Sequence, residues 1–263
     1  YLQVTGVYTN TTQVDAYRGA GRPEAIYVLE RAMDYAARAL KVNPWDFRRL
    51  NFIPQEGFPY KTASKVSYDV GDFHSVLDKV VEKCDLASFA ARQAESAAKG
   101  LLRGMGLCCY IESILGDPTE TSRVVFNEDG SVDLFVGTQS NGQGHETVYA
   151  QYLADQTGLP VEMIHVIQGD SDKIPIGGGT GGSRSTTVQN TATLALVGVL
   201  VQRYAAFLAQ RHNSPVSSVS FDDEVFRIEG SNVVFSLMDV ADLARAEGEL
   251  GLLDMTQSAT LDD

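Results

Sequence analysis

The chain has 263 residues, 44% of them apolar, and a net charge of -13 from 21 basic and 34 acidic side chains. That length and apolar content suit one large domain or a domain and a half with a substantial core, which excludes a disordered tail. The acidic balance excludes a nucleic-acid interface, which needs cationic contacts to phosphate, and an anionic membrane surface. A cytoplasmic protein is the expectation.

The chain begins with a strand-like alternation over residues 1–10. Pro23 and Glu24 then open a helix, since proline and an acid are both favourable in a first turn. Its predicted buried stripe is Leu29, Met33, Ala36 and Leu40. Asn43-Pro44 caps a short helix through Leu50, and the Pro/Gly-rich residues 54–59 mark a boundary, giving domains 1–57 and 58–263. A helix is predicted from Asp72, with Phe73, Val76, Leu77 and Val80 inward, and a second over 86–99. Strands follow at 101–114, 123–126 and 131–136, the last two joined by the turn Asn127-Glu-Asp-Gly130.

A helix over 145–157, with Val148, Tyr149, Tyr152 and Leu153 inward, is stopped by Gly158-Leu-Pro160, and 161–168 reads as a strand. A long helix over 187–210 is expected to bury Leu194, Val197, Val201, Tyr204 and Leu208. A hairpin over 224–235 precedes a helix whose Ser236 and Asp239 stand in capping-box register. Short strands mixed irregularly with helices predict an α+β fold of two-layer α/β sandwich subdomains.

Cys84, Cys108 and Cys109 lack ligand or redox spacing and read as buried thiols, small hydrophobes in effect. The longest apolar window, around 192–200, is shorter than the ~20 residues of a membrane span. No secretory leader pattern stands at the amino end. Without an initiator methionine, and with residues 255–263 reading as the start of another segment, a piece of a longer polypeptide is expected.

The chemistry concentrates in two glycine-dense turns, Gly137-Thr-Gln-Ser-Asn-Gly-Gln-Gly-His145 and Gly177-Gly-Gly-Thr-Gly-Gly-Ser-Arg-Ser185. Each leaves an apolar run and leads into a helix. Glycine lets backbone approach a ligand closely, and N–H groups at a helix start favour anions. Neither turn has the spacing of a P-loop or of the dinucleotide fingerprint, so a less common polyanionic cofactor is expected.

These turns, together with Thr9-Asn-Thr-Thr-Gln-Val-Asp-Ala-Tyr-Arg-Gly-Ala-Gly-Arg-Pro-Glu24, resemble the molybdenum-binding large subunit of the xanthine dehydrogenase, aldehyde oxidase and carbon monoxide dehydrogenase-like family. The resemblance covers nearly the whole chain. It implies a molybdopterin cofactor, usually the cytosine dinucleotide in bacterial enzymes, with iron–sulfur clusters and FAD on partner subunits. A hetero-oligomer, such as a dimer of heterotrimers, follows from it.

Carried over by motif, Arg18 and Gly19 lie in the loop near the molybdenum oxygen ligands. Gly142, Gln143 and Gly144 meet the pterin and phosphate. Gly181, Gly182, Ser183, Arg184 and Ser185 wrap the phosphates. The metal is held through the pterin, with no direct protein ligand.

The implied reaction is hydroxylation of an aldehyde or N-heterocycle with oxygen from water, assisted by a glutamate base. The family's Gly-x-Gly-Glu motif for that base is absent here and is expected beyond Asp263; Glu247-Gly248-Glu249 imitates it only in a surface turn. The chain alone is therefore expected to be inactive. Carbon monoxide oxidation at a copper–molybdenum centre is disfavoured, because Gly19 stands where the copper-binding cysteine would be.

Read singly, these residues have plainer roles. Arg18 can pair with Asp15 or Glu24. His145 and Glu146 suit a packing pair, since adjacent helical residues do not face one another. Asp170 and Asp172 supply too few ligands for calcium and suit a turn. A noncatalytic assembly module derived from such a subunit is the rival from another class.

Overall fold

In the computed structural model, which describes residues 3–13 and 16–261, the first helix, α1, runs Arg22–Leu40 and has proline in its first turn. α2 (Pro44–Arg49) is capped by Asn43, whose side chain accepts from Trp45 N at 2.8 Å. A two-stranded hairpin follows, β1 (Tyr60–Lys61) with β2 (Ser67–Tyr68). α3 (Phe73–Lys83) is capped by Asp72, and α4 (Phe89–Ala98) comes after a single 3-10 turn. These elements belong to the first of two compact units, Tyr1–Ile111.

The packing of this unit corrects several expectations. Leu29 and Leu40 are exposed, and the inward side of α1 carries Glu30, Asp34 and Ala37. The cause is Arg48, 2% exposed, whose guanidinium reaches Glu30 Oε2 at 2.7 Å, Asp34 Oδ1 at 2.8 Å and Pro44 O at 3.0 Å. Burial alone would lower its pKa, but the hydrogen bonds to Asp34 and Glu30 outweigh that and raise it. Satisfying a buried cation thus sets the roll of α1 against α2.

On α3, Leu77 is buried, whereas Val76 and Val80 face solvent. Residues 3–9 and 101–114 form no strand. An alternating sequence makes a strand only where another strand supplies hydrogen bonds, and here none does. Cys108 is exposed, and Cys84 and Cys109 are half-buried, so the reading of three buried thiols fails for a similar reason: little of this unit is buried at all. Burial still pushes the Cys109 thiol up, and Glu30, whose Oε1 accepts from Cys109 N at 3.1 Å, adds to the shift.

The second unit, Glu112–Asp263, holds the core. β3 (Thr119–Phe126) and β4 (Val132–Val136) form the expected hairpin, with Val124 opposite Leu134. α5 (His145–Thr157) ends at Gly158 in the left-handed region, as the Gly-Leu-Pro signal predicts. β5 (Ile164–Ile167) then returns parallel to β4, with Leu134 opposite Val166.

α6 (Ser185–Arg211) precedes a meander of β6 (Val219–Asp222), β7 (Val225–Ile228) and β8 (Val234–Phe235). α7 (Leu237–Ala246) starts in a capping box, Ser236 with Asp239, as predicted. The last strand, β9 (Asp254–Thr260), pairs antiparallel with β3 and completes a sheet of order β5-β4-β3-β9. Helices on one face of this sheet give the α+β, two-layer architecture.

One face of β3 and β4 points inward by strict alternation: Val124, Phe126, Val132, Leu134 and Val136 are each at most 3% exposed. α6 crosses that face and buries Leu196, Leu200, Tyr204 and Leu208. Leu194, expected inside, is 49% exposed, because the true stripe passes through Leu196 and Leu200. α6 is also long and apolar enough to cross a membrane by length and composition, which corrects the expectation drawn from the 192–200 window. Its apolar residues instead complete the core beside the sheet. Tyr204 donates to Leu252 O at 3.1 Å, and burial holds its phenol far above the usual range.

Candidate functional site

The two glycine loops sit at the carboxyl ends of β4 and β5, which are adjacent and parallel. In such a β-α-β unit both following loops open on the same edge of the sheet, the usual place for a ligand in α/β folds. Here they touch. A Cβ on Gly177 would lie 2.5 Å from Gly137 O, and one on Gly137 would lie 2.6 Å from Gly177 Cα. Gly179 N donates to Gly137 O at 3.1 Å. Thr180 Oγ1 donates to Gln139 O at 2.6 Å and accepts from Gln139 N at 2.9 Å.

Beneath the loops the inward face of the sheet changes character. β3 continues its alternation from Phe126 and Val124 to Ser122 and Glu120, and α6 changes in step from Leu196 to Thr193, Gln189 and Ser185. Both elements are thus polar at the loop end and apolar at the other. Gln189, fully buried, accepts from Gly137 N at 3.0 Å and donates to Thr121 O at 3.1 Å and Ser122 Oγ at 2.8 Å. Glu120, 3% exposed, accepts from Gly178 N at 3.0 Å and from Arg184 Nη1 at 3.0 Å. The remaining Arg184 donors reach Asp117 O at 2.7 Å, Thr119 O at 2.7 Å and Gly179 O at 3.1 Å.

The residues singled out by sequence therefore divide. Arg184 turns its guanidinium into the scaffold and presents no charge to the open side of the loop. Ser185 is buried at the first turn of α6. Ser183, in the left-handed region at φ 58°, donates its hydroxyl to the Glu112 carboxylate. Gly182 (φ 61°) has no room for a side chain, since a Cβ would lie 2.3 Å from Leu115 O. Gly142, Gln143 and Gly144 lie in or beside the exposed turn before α5, where the Gln143 carboxamide oxygen accepts from Asn141 N and closes the turn on itself.

Arg18 and Gly19 belong to the other unit, in a run of four left-handed residues from Arg18 to Gly21 that leads into α1. Arg18 stacks on Tyr17 at 5.8 Å, and of the two partners suggested for it, Asp15 and Glu24, the first lies outside the described residues. Gly19 packs on Pro23, whose Cδ would meet a Cβ at 2.6 Å.

His145 and Glu146 turn to different neighbours. The His145 ring is 3% exposed and lies 5.1 Å from the Tyr149 ring, while the Glu146 carboxylate accepts from Gln168 Nε2. Burial lowers the His145 pKa against the raising effect of Glu146, and its Nδ1 is buried without a hydrogen-bond partner among the described residues. Tyr149 and Thr138 pair through their hydroxyls at 2.8 Å. Asp170 accepts from Asp172 N at 3.1 Å, the turn expected there. Exposed Glu247 and Glu249 lie at the end of α7, away from the loops in sequence and in the sheet.

Sequence reasoning missed Glu120, Gln189, Gln168 and Thr180. The inward parity of Glu120 with Ser122, Val124 and Phe126 was a usable signal, as was a glutamine in the first turns of an otherwise apolar helix.

An anionic cofactor fits what remains open. Among the described residues neither α5 nor α6 has a side-chain cap, so no capping side chain satisfies the first N–H groups of either helix. Among the described residues, no group accepts from the N–H groups of Gly181, Gly182 and Ser183. A Cβ at Gly144, Gly179 or Gly181 would meet nothing within 4 Å. Capless helix starts beside exposed glycine amides are an anion-binding arrangement.

Residues 79–260 match the model of a family described as a molybdopterin cofactor-binding domain, and residues 1–52 match a second model with the same description. The chain belongs to this molybdopterin cofactor-binding family. Within it, the chain is 36% identical to the carbon monoxide dehydrogenase large chain of Hydrogenophaga pseudoflava, over 93% of its own length and 32% of that protein's. It is 32% identical to the nicotine 6-hydroxylase large subunit of Paenarthrobacter nicotinovorans, over 92% and 30%. The crystal structure of the Cu,Mo-CO dehydrogenase superposes with a TM-score of 0.73 at 27% identity, covering 91% of this chain and 32% of that one. The molybdopterin-binding chain thus spans about a third of the length of the relatives it matches.

Proposed function

We propose that the two glycine loops hold the pterin and phosphate portions of a molybdopterin cofactor in a hydroxylase that oxidises an aldehyde or N-heterocycle with oxygen from water. The observation that carries this reading is the contact of the two glycine loops at Gly137 and Gly177, at the carboxyl ends of adjacent parallel strands, each loop leading into a helix without a side-chain cap. Gly144, Gly181, Gly182 and Ser183 offer backbone donors there, and Gly142, whose own N–H donates to Ser140 Oγ at 3.4 Å, shapes the turn between them and the strand. Gln143 adds a neutral carboxamide, and Arg184 and Ser185 start α6, while for Arg18 and Gly19, in the other unit, a role toward the cofactor rests on the family resemblance alone. When bound, the metal activates water and serves as the electron sink.

Following the family resemblance, the cofactor is proposed as the cytosine dinucleotide, with residues 1–57 closing one binding domain and 58–263 carrying the next. The family matches at 1–52 and 79–260 support that division. Iron–sulfur and FAD subunits are the proposed partners, in a cytoplasmic hetero-oligomer of the dimer-of-heterotrimers kind; the large-chain names of the relatives support a multi-subunit assembly. Gly19 offers no thiolate for Cu(I), which favours a heterocycle or aldehyde over carbon monoxide.

Molybdenum and pterin analysis of the intact parent subunit tests the cofactor: molybdenum near one per chain is expected, and a folded subunit lacking both would leave an assembly module instead. Gln143→Ala should lower molybdenum occupancy or turnover; full values of both would remove its assigned role. Turnover of a panel of aldehydes and purines by the complete enzyme tests the substrate class.

A further inference from the structure

We infer that Glu120 and Arg184, with Gln189 and Thr180, are positioning residues that set the spacing and register of the two cofactor loops without touching the cofactor. The inference rests on the proposed cofactor site and adds residues to it. Glu120 and Arg184 are each 3% exposed and lie at the polar end of the core, below the loops. One carboxylate receives both Gly178 N–H, from the second loop, and the guanidinium that follows that loop. The same guanidinium fixes Gly179 O at 3.1 Å and is tied to the sheet through Asp117 O and Thr119 O.

The first loop is fixed from the same floor, by Gln189 Oε1 on Gly137 N. Thr180 then joins the loops directly through Gln139. A chain of buried polar groups therefore runs from β3 and α6 into both loops. Every contact it makes with them is to backbone, which is the part that would face a ligand. With no side chain to lock a glycine loop, its shape must come from such outside contacts, because glycine itself permits many. A buried charge this fully hydrogen-bonded holds one geometry and leaves little alternative.

Glu120→Gln and Arg184→Lys test this in the purified protein. Partners that orient a metal site from behind typically change metal affinity or activity by roughly 10- to 100-fold, and a severalfold loss of molybdenum and pterin per folded chain is expected. Amide hydrogen exchange should rise across 177–184 while α6 beyond Leu196 stays protected. Full molybdenum content together with unchanged exchange in these loops would overturn the inference.

Should the charge variants fail to fold, Thr180→Val keeps the question open to decision. It breaks only the link to Gln139, at a half-exposed position, so the melting temperature should hold while cofactor content falls severalfold. Unchanged content in that variant would again overturn the role. If the unaltered protein itself holds no molybdenum, the proposed cofactor site falls, and loop exchange in the same variants still decides whether these residues fix the loops.

Discussion

Arg48 in the first unit and Arg184 in the second are buried to nearly the same degree, and both meet carboxylates, yet their surroundings differ completely. Around Arg48 the fully buried apolar residues of the unit are Ala37 and Leu77 among those described, so the ion-paired guanidinium is itself the main link between α1 and α2. Arg184 stands at the edge of a large apolar core that α6 and the sheet complete without it. A buried ion pair is weak evidence of stability in general. The comparison separates one that holds a fold together from one that shapes a site within a fold already secured.

The largest expected effect comes from Arg48→Met. Glu30 and Asp34 would lose their cation, a loss of about 3–5 kcal/mol for removing one side of a buried pair. Proteolysis and hydrogen exchange should then open α1 and α2 while α6 remains protected; persistent protection of α1 would break the comparison. Leu200→Ala sharpens it from the other side, since a buried leucine truncation costs about 2–5 kcal/mol and should destabilise the sheet and α6 together. A midpoint unchanged in denaturant would show that this core is not what secures the second unit. Ser236→Ala should cost about 1 kcal/mol, read from the same unfolding curve, by removing half of the capping box at α7.

The local devices among these were legible in the chain. Asn43, Asp72 and the Ser236–Asp239 box act on backbone two or three residues away, so a short window contains the whole interaction. The glycine loops and the stop at Gly158 were legible for the same reason. β9 was not, because its partner is β3 and the pairing of Arg123 with Thr256 spans most of the second unit. For Glu120 the sequence carried only its inward parity; its role needed Arg184 and Gly178 to be brought to it. The roll of α1 was misread because apolar periodicity ranked Leu29 and Leu40 above the two acids that Arg48 draws inward.

The smallest effect is one of pH. His145 has a folded-state pKa depressed by burial, so its neutral form contributes stability that is present above the unfolded value of about 6.5 and is lost as pH falls through the lower folded value. Urea unfolding across that interval should show stability declining with acidity in the unaltered chain and a flatter profile in His145→Gln. Identical slopes would assign the decline to another group.

Gly181 gives the second loop an unusual property. It is exposed, a Cβ there would meet no atom within 4 Å, and its φ is not among the positive ones. The polypeptide alone would accept alanine at 181 as readily as glycine. A single added methyl is thus a gauge of whatever approaches from outside: silent in melting, audible only when that space is filled.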